Sequence, residues 1–233
     1  AKKSPNEKAD KTADTDEDKK PLDQPKGKYD ATNIQVLEGV EAVCNAKADL
    51  EIDVLDGMTS MVDKSLLRQI ESGSGEPRFE MLETIREYSL ERFAASGDEA
   101  LARRAHAAYL IVLAEEAGSK VGNEAAWLDR AELEHENFRS ALDWLIETGN
   151  APWGLRLGAA LFGYWEPRDH RAEGREWLTK LLQLPRASER NRERARALFT
   201  AGVLAGEQRD YVASRALLEE SAAIDTELED KWS

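Results

Sequence analysis

The chain has 233 residues, 41% of them hydrophobic and 33% charged, with a formal net charge of -14 and a pI near 4.8. This is enough apolar material for one or two modest cores, while the acidic balance speaks against phosphate backbones and anionic lipid, whose binding needs clustered Lys and Arg. No run approaches the roughly 18 apolar residues of a membrane span, the start is too polar for a signal peptide, and the single cysteine, Cys44, has no partner for an internal bridge, so the expected setting is the cytoplasm with a buried thiol in the apolar run 40–44.

Residues 1–33 read as a disordered tail or linker. The first thirty carry eight Lys and eight Asp or Glu and almost no apolar side chains, too little burial to offset the entropy of ordering. The net negative charge therefore belongs to the rest. Over 34–47, Val36, Leu37, Val40, Val43 and Cys44 recur at helical spacing, and over 51–64 Ile52, Leu55, Met58, Thr59 and Val62 form one stripe. Apolar stretches at 66–70 and 78–81 flank the turn-rich segment 72–77, which predicts a short hairpin. Two helices followed by a ribbon describe a partial winged helix over 34–97. The remainder, 98–233, reads as helices throughout. A helix over 82–95 ends at Ser96 and Gly97, and another over 98–118 opens on Asp98 as N-cap. Later breaks fall at 149–150, 167–170, 184–185 and 208–210.

The helical half carries an internal repeat. Leu198, Gly202, Asp210, Tyr211, Ser214, Leu218 and Ser221 follow a tetratricopeptide-type pattern, in which small residues sit where paired helices approach closely. The preceding unit repeats its second half with Trp165, Asp169, His170, Gly174, Trp177, Leu178, Leu181 and Pro185. The offset from Asp169 to Arg209 is 40 residues, longer than the 34 or so of a regular unit, so the array is irregular. A third, degenerate pair spans 125–133 and 136–148, with Trp127, Phe138, Leu142 and Trp144. The fold expected is thus mainly α: a partial winged helix with a short β-hairpin, then a tetratricopeptide-like α-solenoid. Such arrays present a concave surface to proteins or peptides. The tryptophans at helical spacing read first as core. If one patch recognises a partner, Arg168, Arg171 and Arg175 beside Trp165 and Trp177 are the choice, because Trp and Arg dominate interface hot spots.

The runs Met58-Thr59-Ser60-Met61-Val62-Asp63-Lys64-Ser65-Leu66-Leu67 and Arg78-Phe79-Glu80-Met81-Leu82-Glu83-Thr84-Ile85-Arg86-Glu87-Tyr88, followed by Trp127-Leu128-Asp129-Arg130 and Glu173-Gly174-Arg175-Glu176-Trp177-Leu178, resemble the bacterial STAND regulators, the AfsR-like and LuxR-type ATPases. The resemblance covers residue 34 to the end. It implies a nucleotide-gated switch, in which a winged helix and a helical-repeat sensor follow an ATPase domain. ATP or ADP would belong to that upstream domain and no cofactor to this chain, which lacks the Gly-x-x-x-x-Gly-Lys-Ser/Thr loop whose amides and lysine hold phosphates. In related ATPases a Met-His-Asp triplet ends the winged helix and its histidine meets ADP. Here Met81, Leu82 and Glu83 stand in its place, and Leu82 has no hydrogen-bonding group. Glu83 is expected instead to cap the next helix or to pair there with Arg86 or the neighbours of Glu87.

The sequence leaves three function classes. A non-catalytic regulatory module, the sensor arm of an ATPase regulator that binds a protein or inducer, is the expectation. A free-standing scaffold is the alternative, and a winged-helix DNA-binding protein the third. Direct nucleic-acid binding is not expected, because Glu51, Asp53, Asp56 and Asp63 surround the second helix with Lys64 as its one cation. Nor is catalysis. His106, His135 and His170 are scattered, with no metal-ligand spacing and no nucleophile elbow. The last helix, near Trp232, lacks an evident polar cap, so the solenoid is expected to continue past Ser233 or to be covered there by another chain.

Overall fold

The structure is a computed structural model that describes residues 34–47, 50–71, 77–117 and 124–230. The N-terminal segment 1–33, the hairpin turn at 72–76 and Trp232 lie outside the described residues.

The first unit begins with Ile34–Cys44 (α1) and Val54–Asp63 (α2). The second helix starts later than its apolar stripe because Asp53 caps it, its carboxylate accepting from Leu55 N at 2.8 Å and Asp56 N at 3.2 Å. It ends where Ser65 takes a left-handed φ of 58° and the N–H groups of Ser65 and Leu66 return to the carbonyls of Val62 and Met61, both at 2.9 Å. That reversal launches Leu67–Glu71 (β1), which pairs antiparallel with Pro77–Met81 (β2), Leu67 facing Met81 and Ile70 facing Arg78. Glu83–Ser96 (α3) follows and stops at Gly97 in the left-handed region, with φ 82°. Met58 is the only described side chain of this unit that is fully buried. Its folding therefore leans on the helices that come next. Cys44 is exposed, against the expectation of a buried thiol. The contact of α1 with Glu99–Ala117 (α4) runs through Gly39 instead. A Cβ on Gly39 would lie 3.1 Å from the Tyr109 ring. Lys47 adds an ion pair to Asp98 at 2.5 Å. That carboxylate, expected to cap α4, is spent on the junction between the two units.

The second unit continues with Glu124–Leu133 (α5), His135–Glu147 (α6), Ala151–Ala160 (α7), Phe162–Trp165 (α8) and Arg171–Leu182 (α9). A 3-10 turn at Pro185–Ser188 then leads to Arg192–Glu207 (α10) and Tyr211–Asp230 (α11). Helices α4, α7 and α10 pack side by side as one layer, and α6, α9 and α11 pair back on them as the other. Each second-layer helix also touches the next first-layer one, α6 on α7 and α9 on α10. This is the stacking of helical repeats. The molecule is accordingly mainly α, a partial winged helix followed by helical repeats, as the sequence predicts. Leu142, Leu145, Leu155, Leu178, Leu181 and Leu204 lie at the centre of the core. Trp165 and Trp177 are buried, and Trp127, Trp144 and Trp153 pack against the rim. Among the described residues no helix is long and apolar enough to cross a membrane.

Three turns between successive helices share one geometry. Gly149, Asp169 and Arg209 have φ of 66°, 62° and 64°. In each, the next residue's N–H reaches back five positions, Asn150 to Leu145, His170 to Trp165 and Asp210 to Ala205, all at 2.8–2.9 Å. The 40-residue offset between Asp169 and Arg209 is thus a repeat of backbone shape. An arginine gives no conformational advantage at such a φ, where a side chain costs roughly 1 kcal/mol. Arg209→Gly is therefore expected to raise stability by about 0.5–1 kcal/mol, read as an upward shift of the thermal midpoint of about 1–4 °C.

The small residues do what the repeat pattern requires. A Cβ on Gly174 would stand 2.5 Å from two atoms of the Trp165 indole, and one on Gly202 would stand 2.8 Å from Leu218 Cγ. Ser214 lies against Gly206, whose Cβ would be 3.0 Å from the hydroxyl oxygen, and buried Ser221 donates to the Ala195 carbonyl at 2.8 Å.

Candidate functional site

Two regions carry polar chemistry: the hairpin of the first unit and the seam where α6 meets α8 and α9. In the hairpin, Arg68 on β1 pairs across to Glu80 at 2.6 Å, both side chains mostly exposed. Such a pair is weak and exchanges freely with other anions. Lys64, just before the hairpin, is exposed. Arg78 behaves differently. Its guanidinium reaches the junction of α5 and α6, donating to Glu134 Oε1 at 3.1 Å and to the Leu133 carbonyl at 2.8 Å. Glu134 is held from its other side by Asn137 Nδ2 at 2.5 Å. The hairpin is thereby latched to the helical array.

Met81 ends β2 opposite Leu67. Leu82 is 59% exposed and occupies the N-cap position of α3 with no side-chain capping bond, its carbonyl accepting from Arg86 N at 2.8 Å. Glu83 pairs with Arg86 at 3.0 Å.

The five residues singled out on α8, α9 and the turn between them are brought together but engaged internally. Trp165 and Trp177 are buried. Arg168 pairs with Asp129, Arg171 binds the Glu166 carbonyl at 2.8 Å and Asp169 at 3.0 Å, and Arg175 bridges to Asp210 and to Gln208 at 2.9 Å. They knit one repeat to its neighbours. The Asp210 carboxylate, which also accepts from Ala213 N, is held below its ordinary pKa first by Arg175 and then by that backbone bond. Apolar exposure lies elsewhere, at Phe199 on α10 and at Tyr211 and Val212 on the first turn of α11. Phe199 matches no position of the repeat pattern, and only its spacing with Arg192 and Arg196 on one stripe hinted at an outward face.

At the seam, His135 and His170 stack with ring centroids 4.5 Å apart. Tyr164 OH lies 2.8 Å from His135 Nδ1 and donates to Glu132 Oε2 at 3.2 Å. His170 Nε2 is 3.4 Å from the same Glu132 oxygen. Glu173 accepts Arg139 Nε at 2.6 Å and Nη2 at 2.8 Å, and also Trp177 Nε1 at 3.1 Å. Chiefly because of Arg139, its carboxyl is held down to about 2. Burial lowers the pKa of His135, with Glu173 opposing, and raises that of Tyr164.

Helix, helix and ribbon in this order define the class. Residues 34–94 match the winged helix-turn-helix domain family. The chain is also 36% identical over 173 residues to two mycobacterial proteins bearing the name "Putative HTH-type transcriptional regulator", Rv0890c of Mycobacterium tuberculosis and Mb0914c of Mycobacterium bovis. Each alignment covers 72% of this chain and 19% of the relative, so the chain spans about a fifth of the length of the proteins it matches. No solved structure matches. Together these findings support a transcription-regulator family and a regulatory role. They also overturn the expectation that the chain makes no direct nucleic-acid contact, since a winged helix-turn-helix and relatives named as HTH-type regulators point to DNA binding. The physical reason is visible in the first unit. The acidity of α2 is a poor guide, because Asp53 is occupied as the helix cap, while the exposed Arg68 lies on the hairpin, outside that helix.

Proposed function

We propose that this chain is the DNA-contacting and sensing portion of a transcription regulator, its winged helix-turn-helix meeting DNA and its helical repeats receiving a protein or inducer. The match of residues 34–94 carries the reading. The unit over 34–94 has thirteen acidic residues against six basic ones, so phosphate attraction falls on a few exposed cations, Lys64 and Arg68 foremost. Fluorescence anisotropy with duplex DNA tests this. Binding is expected at low salt and should weaken as salt rises. Lys64→Glu and Arg68→Glu should each lower affinity by about tenfold and reduce the salt slope by about one. Absence of duplex binding at low salt would defeat the reading.

The finer assignment, a signal-transducing ATPase regulator of the STAND type with tetratricopeptide-like repeats, is supported by the runs at 58–67 and 78–88, by the repeated left-handed turns and by the small residues at helix crossings. In that assignment nucleotide is held outside this chain, and the repeats act as the non-catalytic arm. Exposed Phe199, Tyr211 and Val212 favour a protein surface, or a further helix pair, against α10 and α11.

A further inference from the structure

The seam between α6 and α9 holds an arrangement that no regulatory role so far requires. Tyr164 has one hydroxyl proton, and the acceptor-only carboxylate of Glu132 takes it. The 2.8 Å contact between that hydroxyl and His135 Nδ1 must then be made by an Nδ1–H of the imidazole, which leaves Nε2 as a lone pair whenever the ring is neutral. His170 likewise turns Nε2 to Glu132, leaving Nδ1 as its lone pair. Both free nitrogens point at one atom, Glu173 Oε2, His135 Nε2 from 3.5 Å and His170 Nδ1 from 4.0 Å. Two imidazole lone pairs thus converge on a carboxylate oxygen that also accepts from Arg139 Nη2.

We propose that His135, His170 and Glu173 bind a divalent transition-metal cation of the zinc type. All three donor atoms lie within 4.8 Å of one another. Tetrahedral zinc, with bonds near 2.0–2.1 Å, spaces its ligands about 3.4 Å apart, so changes in donor separation of about 0.1 to 1.4 Å close the set. The surroundings match what metal histidines need. Each ring's far nitrogen is tied to Glu132, directly or through Tyr164, which fixes tautomer and orientation. Arg139 fixes the Glu173 carboxylate while leaving Oε2 a lone pair, and the three residues are half-buried.

The test is equilibrium dialysis of the full chain against Zn2+ alone with metal analysis, paired with the visible absorption of Co2+ as a probe of tetrahedral geometry. One Zn2+ per chain is expected. His135→Ala and His170→Gln should each lower affinity at least about tenfold, and Tyr164→Phe, which removes only the orienting bond, by about 10–100-fold. His106→Ala, on α4, should leave binding unchanged. His170→Gln keeps the test decisive if His135→Ala does not fold. Affinity unaltered by His170→Gln, loss of affinity equal in His106→Ala, or proton uptake by the two histidines with no zinc retained would each overturn the assignment.

Discussion

Gly174→Ala is expected to destabilise the chain, although the same change in an open helix would stabilise it. In a helix interior alanine is favoured over glycine by about 1 kcal/mol. At Gly174 the new methyl would stand 2.5 Å from Cδ2 and Cε3 of Trp165, a ring that is buried. Overpacking of this kind costs roughly 1–3 kcal/mol and outweighs the propensity gain. For a protein of this size the thermal midpoint should fall by about 2–4 °C per kcal/mol. Gly163, on the neighbouring short helix and with nothing within 4 Å of its virtual Cβ, is the control, and Gly163→Ala should be neutral or stabilising. Trp165→Leu alone opens a cavity and costs several kcal/mol. Combined with Gly174→Ala, the loss should be smaller than the sum, since the leucine vacates the space the methyl needs. Additive losses would show that Gly174 does not meet Trp165, and with that the close crossing of α8 on α9 would fall.

The breaks between helices were legible because they rest on strong local signals: Gly149, Pro167, Pro185 and the paired positions Asp169 and Arg209, whose shared left-handed turn explains why the two half-repeats align at that offset. The hairpin strands were legible to within a residue for the same reason. What sequence reading missed depended on where side chains end up across the fold. His135 and His170 are thirty-five residues apart and share no motif; only the seating of α9 against α6 stacks their rings. Arg168, Arg171 and Arg175 stood out by composition, yet each finds an acidic partner on an adjoining segment, which spacing along one helix cannot disclose. Cys44 followed an apolar pattern, but the face of α1 that packs on α4 passes through Gly39 and leaves the thiol outside. The expectation of no nucleic-acid contact rests on net charge, which does not disclose the winged helix-turn-helix match of residues 34–94.

Arg78 offers the sharpest separation of roles, given the proposed DNA contact. Its guanidinium is claimed by Glu134 and the Leu133 carbonyl, with side chains only 27% and 19% exposed for the arginine and the glutamate. A phosphate would use the same donors, and it cannot have them while the array does. Glu134→Gln retains the shape of the site and removes its charge, so the hairpin should be freed and DNA affinity should rise by about three- to tenfold, matching the 1 kcal/mol or so of one charge-assisted bond weakened. Arg78→Ala also breaks the latch but removes the cation, so DNA affinity should fall below that of the unmodified chain. Both substitutions should speed amide exchange at the junction of α5 and α6, where Glu134 N–H groups and their neighbours depend on the packed turn. Opposite signs on DNA with like signs on exchange mark a latch that competes with DNA. Equal losses of affinity in the two variants would make Glu134 merely structural. If exchange quickens and neither variant changes affinity, the hairpin's Arg78 does not meet DNA, and recognition must come from the face that carries Lys64 and Arg68.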